Sequence, residues 1–304
     1  MISAYGSGVT VRVALLANPR AGRGRGARLA GPVREALAAA GLDVLVLAGG
    51  SGQESIELAA EAAAQGVAGV VAVGGDGLVH CAVQALAGTE VPLGIVPAGG
   101  GNDLAGALEL PADPAGAVEV IAAGRTRRID LGRVEGGRLD RERWFAGVLN
   151  AGFDSAVVAR ADRMRRPRGP LRYDIATWLE LARLRPHRMR LTLDGETSER
   201  DVTLVAVGNS SRYGGGMLIT PAARLDDGVF HVTVAGAMTR RHLARLKPLV
   251  RAGRHVLDAR VSVYQAREVT LDAPALAAYA DGEHVGPLPV TATCVPAALR
   301  VFVR

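Results

Sequence analysis

Three glycines around one carboxylate, Gly74-Gly75-Asp76-Gly77, make the sharpest chemical signal in the 304-residue sequence. Glycines let backbone amides approach an anion closely, and a carboxylate beside them can hold Mg2+ or orient a phosphate donor. An ordinary turn with Asp76 as helix N-cap needs one glycine rather than three. The stretch Pro97-Ala98-Gly99-Gly100-Gly101-Asn102-Asp103 repeats the pattern. Its Asn102 is a candidate cap, and its Asp103 supplies a second acid. Two carboxylates facing an anionic substrate make sense chiefly with a divalent cation between them. A third glycine loop, Asn18-Pro19-Arg20-Ala21-Gly22-Arg23-Gly24-Arg25-Gly26, comes earlier in the chain. Gly22, Gly24 and Ala27 match a dinucleotide fingerprint loosely, with Asp43 as the ribose acid. Its proline and surplus arginines suit phosphate contact better. A Walker A loop is excluded, because the only lysine is Lys247.

Parallel α/β architecture is what brings such loops together, since ligands sit beyond the carboxyl ends of the strands. The first ~130 residues alternate short apolar strands with Ala-rich helices, as a parallel sheet requires. Strands are expected at 11–17, 44–47, 67–73, 93–96 and 128–134. Helices are expected at 27–40, 54–65, 79–87 and 111–124, with a short one after Asn102. Beyond about residue 135, strands at 144–153, 188–193, 202–208, 229–235, 259–263 and 268–272 are separated by turn signals. These are Asp194-Gly195, Asp227-Gly228 and Asp281-Gly282. The expected fold is an α/β N-terminal domain (8–134) with a parallel, NAD-kinase-like sheet and a C-terminal antiparallel β-sandwich (135–304). The extreme C-terminus is free to pack back on the first domain, and an edge strand in the second would permit a homodimer.

Composition narrows the function further. The chain is 49% apolar but 4% aromatic, so Val, Leu and Ala must build the cores, with Trp144 and Trp178 as rare large anchors. No apolar run approaches the ~20 residues needed to span a bilayer. The N-terminus lacks the pattern of a signal peptide. Two cysteines, Cys81 and Cys294, fit a reducing compartment, so the chain reads as cytoplasmic. A net charge of +6 favours anionic partners. The segment 160–185 is helical, strongly basic and flanked by Met164, Leu171, Tyr173 and Trp178. It reads as a peripheral contact with an anionic membrane, at the inner face. The charge is not joined by aromatic stacking residues or a nucleic-acid module, so no nucleic acid is expected.

Taken together the glycine loops resemble the diacylglycerol kinase-like lipid kinases, in their soluble bacterial branch. The resemblance continues through Asp130-Leu131-Gly132, Asn150-Ala151-Gly152-Phe153-Asp154, Tyr213-Gly214-Gly215-Gly216, Asp226-Asp227-Gly228 and Asp281-Gly282-Glu283, in family order. It implies ATP and Mg2+ as cofactors and a lipid hydroxyl as acceptor. Nucleotide contacts would come from Asn18, Pro19, Arg20, Ala21 and Gly22, from Gly74, Gly75, Asp76, Gly77, Leu78 and His80, and from Gly99, Gly100 and Asn102. Asp76, Asp103 and Asp130 would form the acidic network around catalytic Mg2+, and Glu283 would be the general base. A structural Mg2+ would sit at Asp227 with the carbonyls of Arg224 and Val229.

Four positions depart from the family pattern. Leu78 stands where Thr is common, His80 and Cys81 where an Asn-Glu pair is common, and Gly100 where Thr is common. Each removes a polar group near the phosphates. They motivate one rival, a catalytically silent nucleotide- or lipid-binding protein. The other rival is an NAD kinase, which shares the Gly-Gly-Asp-Gly turn.

Overall fold

The computed structural model describes residues 11–18, 25–136, 139, 142–164, 166, 167, 169 and 171–304. The chain divides into two compact units, one running to Leu131 and taking in Pro296–Arg304, the other spanning Gly132–Val295.

In the first unit the elements are β1 (Val11–Ala17), α1 (Arg25–Ala39), β2 (Leu42–Ala48), α2 (Gly52–Ala64), β3 (Val70–Gly74), α3 (Asp76–Leu86), β4 (Leu93–Pro97), α4 (Asp103–Ala107) and α5 (Pro114–Ala122). The strands pair in parallel in the order β2-β1-β3-β4. Both β3 and β4 are buried at every residue, as strands covered on two faces must be. Caps set the helix starts. Ser51 accepts the Glu54 N–H ahead of α2, and Asp113 accepts the Gly116 N–H ahead of α5, with Pro114 at its first position. The C-terminal Val301 lies beside Leu93 of β4, and Phe302 is buried in this unit's core.

β5 (Thr126–Gly136) carries the chain out of the first unit. The second unit holds β6 (Arg143–Phe145), β7 (Val148–Gly152), α6 (Phe153–Arg163), α7 (Leu171–Ala182), β8 (His187–Leu193), β9 (Glu196–Gly208), β10 (Phe230–Gly236), α8 (Arg240–Val250), β11 (Val261–Ala266), β12 (Glu268–Asp272), β13 (Ala277–Ala280), β14 (Glu283–Pro287) and the first part of β15 (Val290–Phe302). Within it the pairing is antiparallel throughout, β14-β13-β7-β9-β8-β12-β15, with β10 and β11 branching from β9. Two Asp-Gly pairs occupy the left-handed region: Asp194 (φ 47°) with Gly195 joins β8 to β9, and Asp281 (φ 51°) with Gly282 joins β13 to β14. Both are the primed hairpin turns that this dipeptide favours. The core centres on Phe145 stacked on Phe230, their ring centroids 5.6 Å apart.

Three features differ from the sequence expectation. The predicted strand 144–153 is two strands, and Phe153 already begins α6. Gly152 makes that break: at φ 99° its α-carbon lies where a Cβ would be 2.6 Å from Thr203 O. Helix α8 stands where no element was expected. Thr239 caps it, and Leu243 and Leu246 bury one stripe while arginines fill the other. Last, residues 277–302 form three strands beyond the last one expected, at 268–272.

Candidate active site

In the first unit β3 and β4 are neighbours, with Gly74 in register with Pro97, so the loops that follow them emerge side by side. Asp76 ties the two together. Its carboxylate accepts the Asn102 N–H at 2.9 Å and the Asp103 N–H at 2.7 Å, one on each oxygen. It therefore caps the start of α4, twenty-six residues on. The cap of its own helix α3 is Gly75, which has no side chain to bond the first-turn amides. That leaves the positive end of α3 for an anion.

The glycines serve this juxtaposition. A Cβ on Gly99 would lie 2.5 Å from Gly75 Cα, and one on Gly101 would lie 2.5 Å from Asp76 Oδ2. Asn102, left-handed at φ 54°, folds its amide back to accept from Gly99 N–H at 2.9 Å and donate to Gly99 O at 3.1 Å. Gly100 alone in this loop faces open space. The structure thus brings Gly74, Gly75, Asp76, Gly77, Gly99, Gly100, Asn102 and Asp103 to one place. Asp103 shares the space over Gly101 with Asp76, its Oδ2 3.6 Å from where a Cβ would stand.

Other predicted residues are placed differently. Leu78 is buried, its side chain packed on Gly74 and its N–H given to Gly75 O. Its side chain is thus committed to packing inside the first unit. His80 is likewise buried. Asp130 is 4% exposed and accepts the Ala297 N–H at 2.8 Å, holding a residue at φ 54°. Asp43 pairs with Arg12 at 2.6 Å, at the amino ends of β2 and β1. It therefore lies at the wrong end of the sheet for a ribose acid, and the dinucleotide reading falls. Asn18 follows β1 directly, whereas Pro19, Arg20, Ala21 and Gly22 lie outside the described residues.

Does this loop pair fit Mg2+? Among the described residues no group of three or more His, Cys, Asp or Glu is arranged to hold a metal. Mg2+ does not need one, because it commonly takes one or two carboxylates and completes its shell with phosphates and water. Asp76 keeps a lone pair on each oxygen beyond its amide bond, and Asp103 borders the same opening. The loop pair fits. At the Asp227 turn, too, each carboxylate oxygen has one protein partner. Its carboxylate accepts the Val229 N–H at 3.3 Å and meets His231 Nε2 at 3.1 Å, while Arg224 leans toward Asp226 at 3.7 Å.

In the second unit Asp281 anchors the β13–β14 turn by accepting three backbone N–H groups, from Ala146 (2.9 Å), Gly147 (2.9 Å) and Val148 (3.2 Å). Gly147 permits that approach, since a Cβ there would be 2.5 Å from Asp281 Oδ1. Glu283, two residues on, is exposed at the start of β14.

The segments Asn150–Asp154 and Tyr213–Gly216 of this unit meet. Tyr213 donates its hydroxyl to Asp154 at 2.7 Å. Burial pushes the Asp154 carboxyl above the usual range, and the Tyr213 bond pulls it partly back. Beside them α6, α7 and the residues leading into β13 line an open-sided cavity of about 540 Å3. Its walls include Ala156, Met164, Leu276 and Tyr279, and its polar groups include the ion-paired Arg160 and Glu180. A mostly apolar cavity with a few polar groups suits an amphiphile.

Comparison with known proteins agrees with this division. Residues 12–134 match the diacylglycerol kinase catalytic domain, and residues 147–303 match the YegS C-terminal NAD kinase beta sandwich-like domain. The chain is 44% identical over 293 residues to the diacylglycerol kinase of Mycobacterium tuberculosis (strain H37Rv), covering 96% of this chain and 94% of that one. It is 32% identical over 205 residues to a YegS-like lipid kinase of Xanthomonas oryzae pv. oryzae, 66% of this chain and 65% of the relative. A solved diacylglycerol kinase structure from Bacillus anthracis str. Sterne superposes with a TM-score of 0.70 at 19% identity, covering 97% of each chain, which shows the shared fold. The family match and the 44% identical relative make the chain a lipid kinase. The chain belongs to the diacylglycerol kinase family.

Proposed function

We propose that the chain transfers the γ-phosphoryl group of ATP to the hydroxyl of diacylglycerol or a related lipid alcohol, at the cytoplasmic face of a membrane. The observation that carries the donor half is the Asp76 latch. It holds two glycine loops backbone to backbone and leaves Gly100 and the start of α3 open to phosphates. The 44% identical relative named diacylglycerol kinase supports the acceptor half. So does the amphiphile-sized cavity.

On this reading the first unit binds the nucleotide and the second binds the lipid. The backbone amides of the two loops orient the phosphates, and α3 directs its positive end at them. Mg2+, held by Asp76 and Asp103 with the phosphates, would neutralise charge on the transferring group. Glu283 accepts the proton of the acceptor hydroxyl as its oxygen bonds to the γ-phosphorus; the bond to the β–γ bridging oxygen breaks and ADP leaves. Asp281 is a positioning residue that fixes the turn presenting Glu283.

The test offers the protein ATP and Mg2+ with a bacterial lipid extract and, in parallel, with NAD, and screens for new phosphorylated products by mass spectrometry. A phosphorylated lipid supports the reading; a product from NAD alone, or none from either, overturns it. Glu283→Gln should lower kcat by about 10²–10⁴-fold with Tm unchanged, and an unaltered kcat would remove Glu283 from its role.

A further inference from the structure

The second unit carries a surface that the phosphoryl-transfer chemistry does not use. From Arg240 to Leu257 the chain has six Lys or Arg residues and no acid. In α8 the apolar stripe Leu243–Leu246 faces inward, so Arg241 and Arg245 face out. The turn that follows exposes Arg251 and Arg254. Among the described residues these four arginines make no ion pair, whereas two arginines of the basic run on α6–α7 are tied down. There Arg160 pairs with Glu180, and Arg172 reaches Asp162 at 3.6 Å. Helix α7 packs beside α8. Lys247 joins them, 5.8 Å from the centre of the Trp178 ring and 3.9 Å from Asp174.

Apolar side chains stand out of the same region. Trp178 is 61% exposed, Leu179 42%, Leu249 38% and Leu257 78%. Large apolar groups so open to water mark a surface that meets something. An exposed indole under Lys247, on packed helices that also carry arginines without an ion pair, matches the boundary of a bilayer, where the ring sits at headgroup level and the cations meet anionic lipid. A second copy of the chain would bring like charges face to face. One tryptophan offers no stacking track for a nucleic-acid strand.

We propose that the composite α7–α8 face, with Trp178, Leu179 and Leu257 as inserting groups and Arg245, Arg251 and Arg254 as headgroup contacts, docks the protein on an anionic bilayer. Helix α7 is two-sided: Trp178 points to solvent and Glu180 lines the cavity. Docking through α7 therefore sets the cavity wall against the surface that stores the substrate. This deepens the lipid-kinase reading and rests on it only in placing the acceptor within a bilayer.

The full chain is tested by co-sedimentation with phosphatidylcholine vesicles, with and without phosphatidylglycerol, free of diacylglycerol, at low and high salt. Binding should require phosphatidylglycerol and weaken with salt. Arg251→Gln with Arg254→Gln should lower partitioning about 25-fold, and Trp178→Ser with Leu179→Ser should lower it too. Calorimetry should show every variant folded, because all four side chains are exposed. Wild-type emission should shift to the blue on binding, and the shift should vanish in Trp178→Ser. Equal partitioning of wild type and variants, salt-insensitive binding, retention on DNA but not vesicles, or a dimer in solution abolished by the same substitutions would overturn the proposal. The two readings fail separately. Transfer to detergent-solubilised diacylglycerol without vesicle binding sinks the docking face alone. Vesicle binding without transfer to any lipid sinks the kinase reading and upholds the face.

Discussion

Replacing Gly99 by alanine adds a methyl group where the two phosphate loops meet. Its Cβ would stand 2.5 Å from Gly75 Cα and 2.9 Å from Asn102 Oδ1. Ordinary carbon contacts lie at about 3.5–4.0 Å, so the loops must separate by roughly 1 Å. Neither neighbour is the free end of a flexible side chain. One is backbone, and the other is the amide oxygen that accepts from Gly99 itself. The separation also draws on the latch, because Asn102 N and Asp103 N must stay on Asp76 while Gly99 moves away from Gly75. Overpacking of this kind costs about 1–3 kcal/mol, which lowers Tm by about 2–4 °C for each kcal/mol. A displacement of about 1 Å in a positioning loop lowers kcat by about 10²-fold. Gly100→Ala is the control, since its Cβ meets nothing within 4 Å, and its stability should stay within about 0.5 kcal/mol of wild type. Calorimetry gives the Tm values, and steady-state phosphorylation of a lipid acceptor gives kcat and the KM for ATP. If Gly99→Ala keeps both wild-type Tm and wild-type kcat, backbone contact between the loops is not what shapes the site.

Two further predictions follow from single carboxylates. Asp281→Ala leaves the amides of Ala146, Gly147 and Val148 without their acceptor. It should cost about 2–4 kcal/mol in chemical denaturation and lower kcat with little change in the KM for ATP; a purely structural role would spare kcat in the fraction that remains folded. Asp154 titrates above its ordinary range in the fold because burial disfavours its charge, and near 3.9 when unfolded. Between those values the native state holds more protons than the unfolded one. The stability this group contributes is thus complete below about pH 3.9 and declines as pH rises through the native value. Asp154→Asn, which keeps an acceptor for the Tyr213 hydroxyl, should therefore exceed wild type in Tm at pH 8 and lose the advantage near pH 4. Parallel Tm–pH curves would refute the assignment.

What sequence could reveal, and what it could not, divides along one physical line. Gly74-Gly75-Asp76-Gly77 and Pro97 through Asp103 were legible because glycine density and short acids are local signals. The strands before them were legible because buried parallel strands read as unbroken apolar runs. The partner of Asp76 was not legible. It is set by β3 and β4 lying side by side, and nothing local says that this carboxylate serves Asn102 and Asp103 rather than its own helix. The packing of Leu78 against Gly74 was hidden for the same reason, since nothing local says where its side chain turns. The basic segments make the point from the other side. Residues 160–172 and 240–254 are both Arg-rich, and charge alone would favour either as a membrane contact. In the first, Arg160 and Arg172 are paired within the unit. In the second, hidden from a periodicity reading by Pro248 and Gly253, Arg251 and Arg254 are left to solvent after the helix that packs beside the one exposing Trp178. An unpaired charge keeps its attraction for an outside partner, whereas a paired one has largely spent it. That difference in pairing is why the proposed docking face is placed on α7, α8 and the turn after α8 rather than on the run at the end of α6.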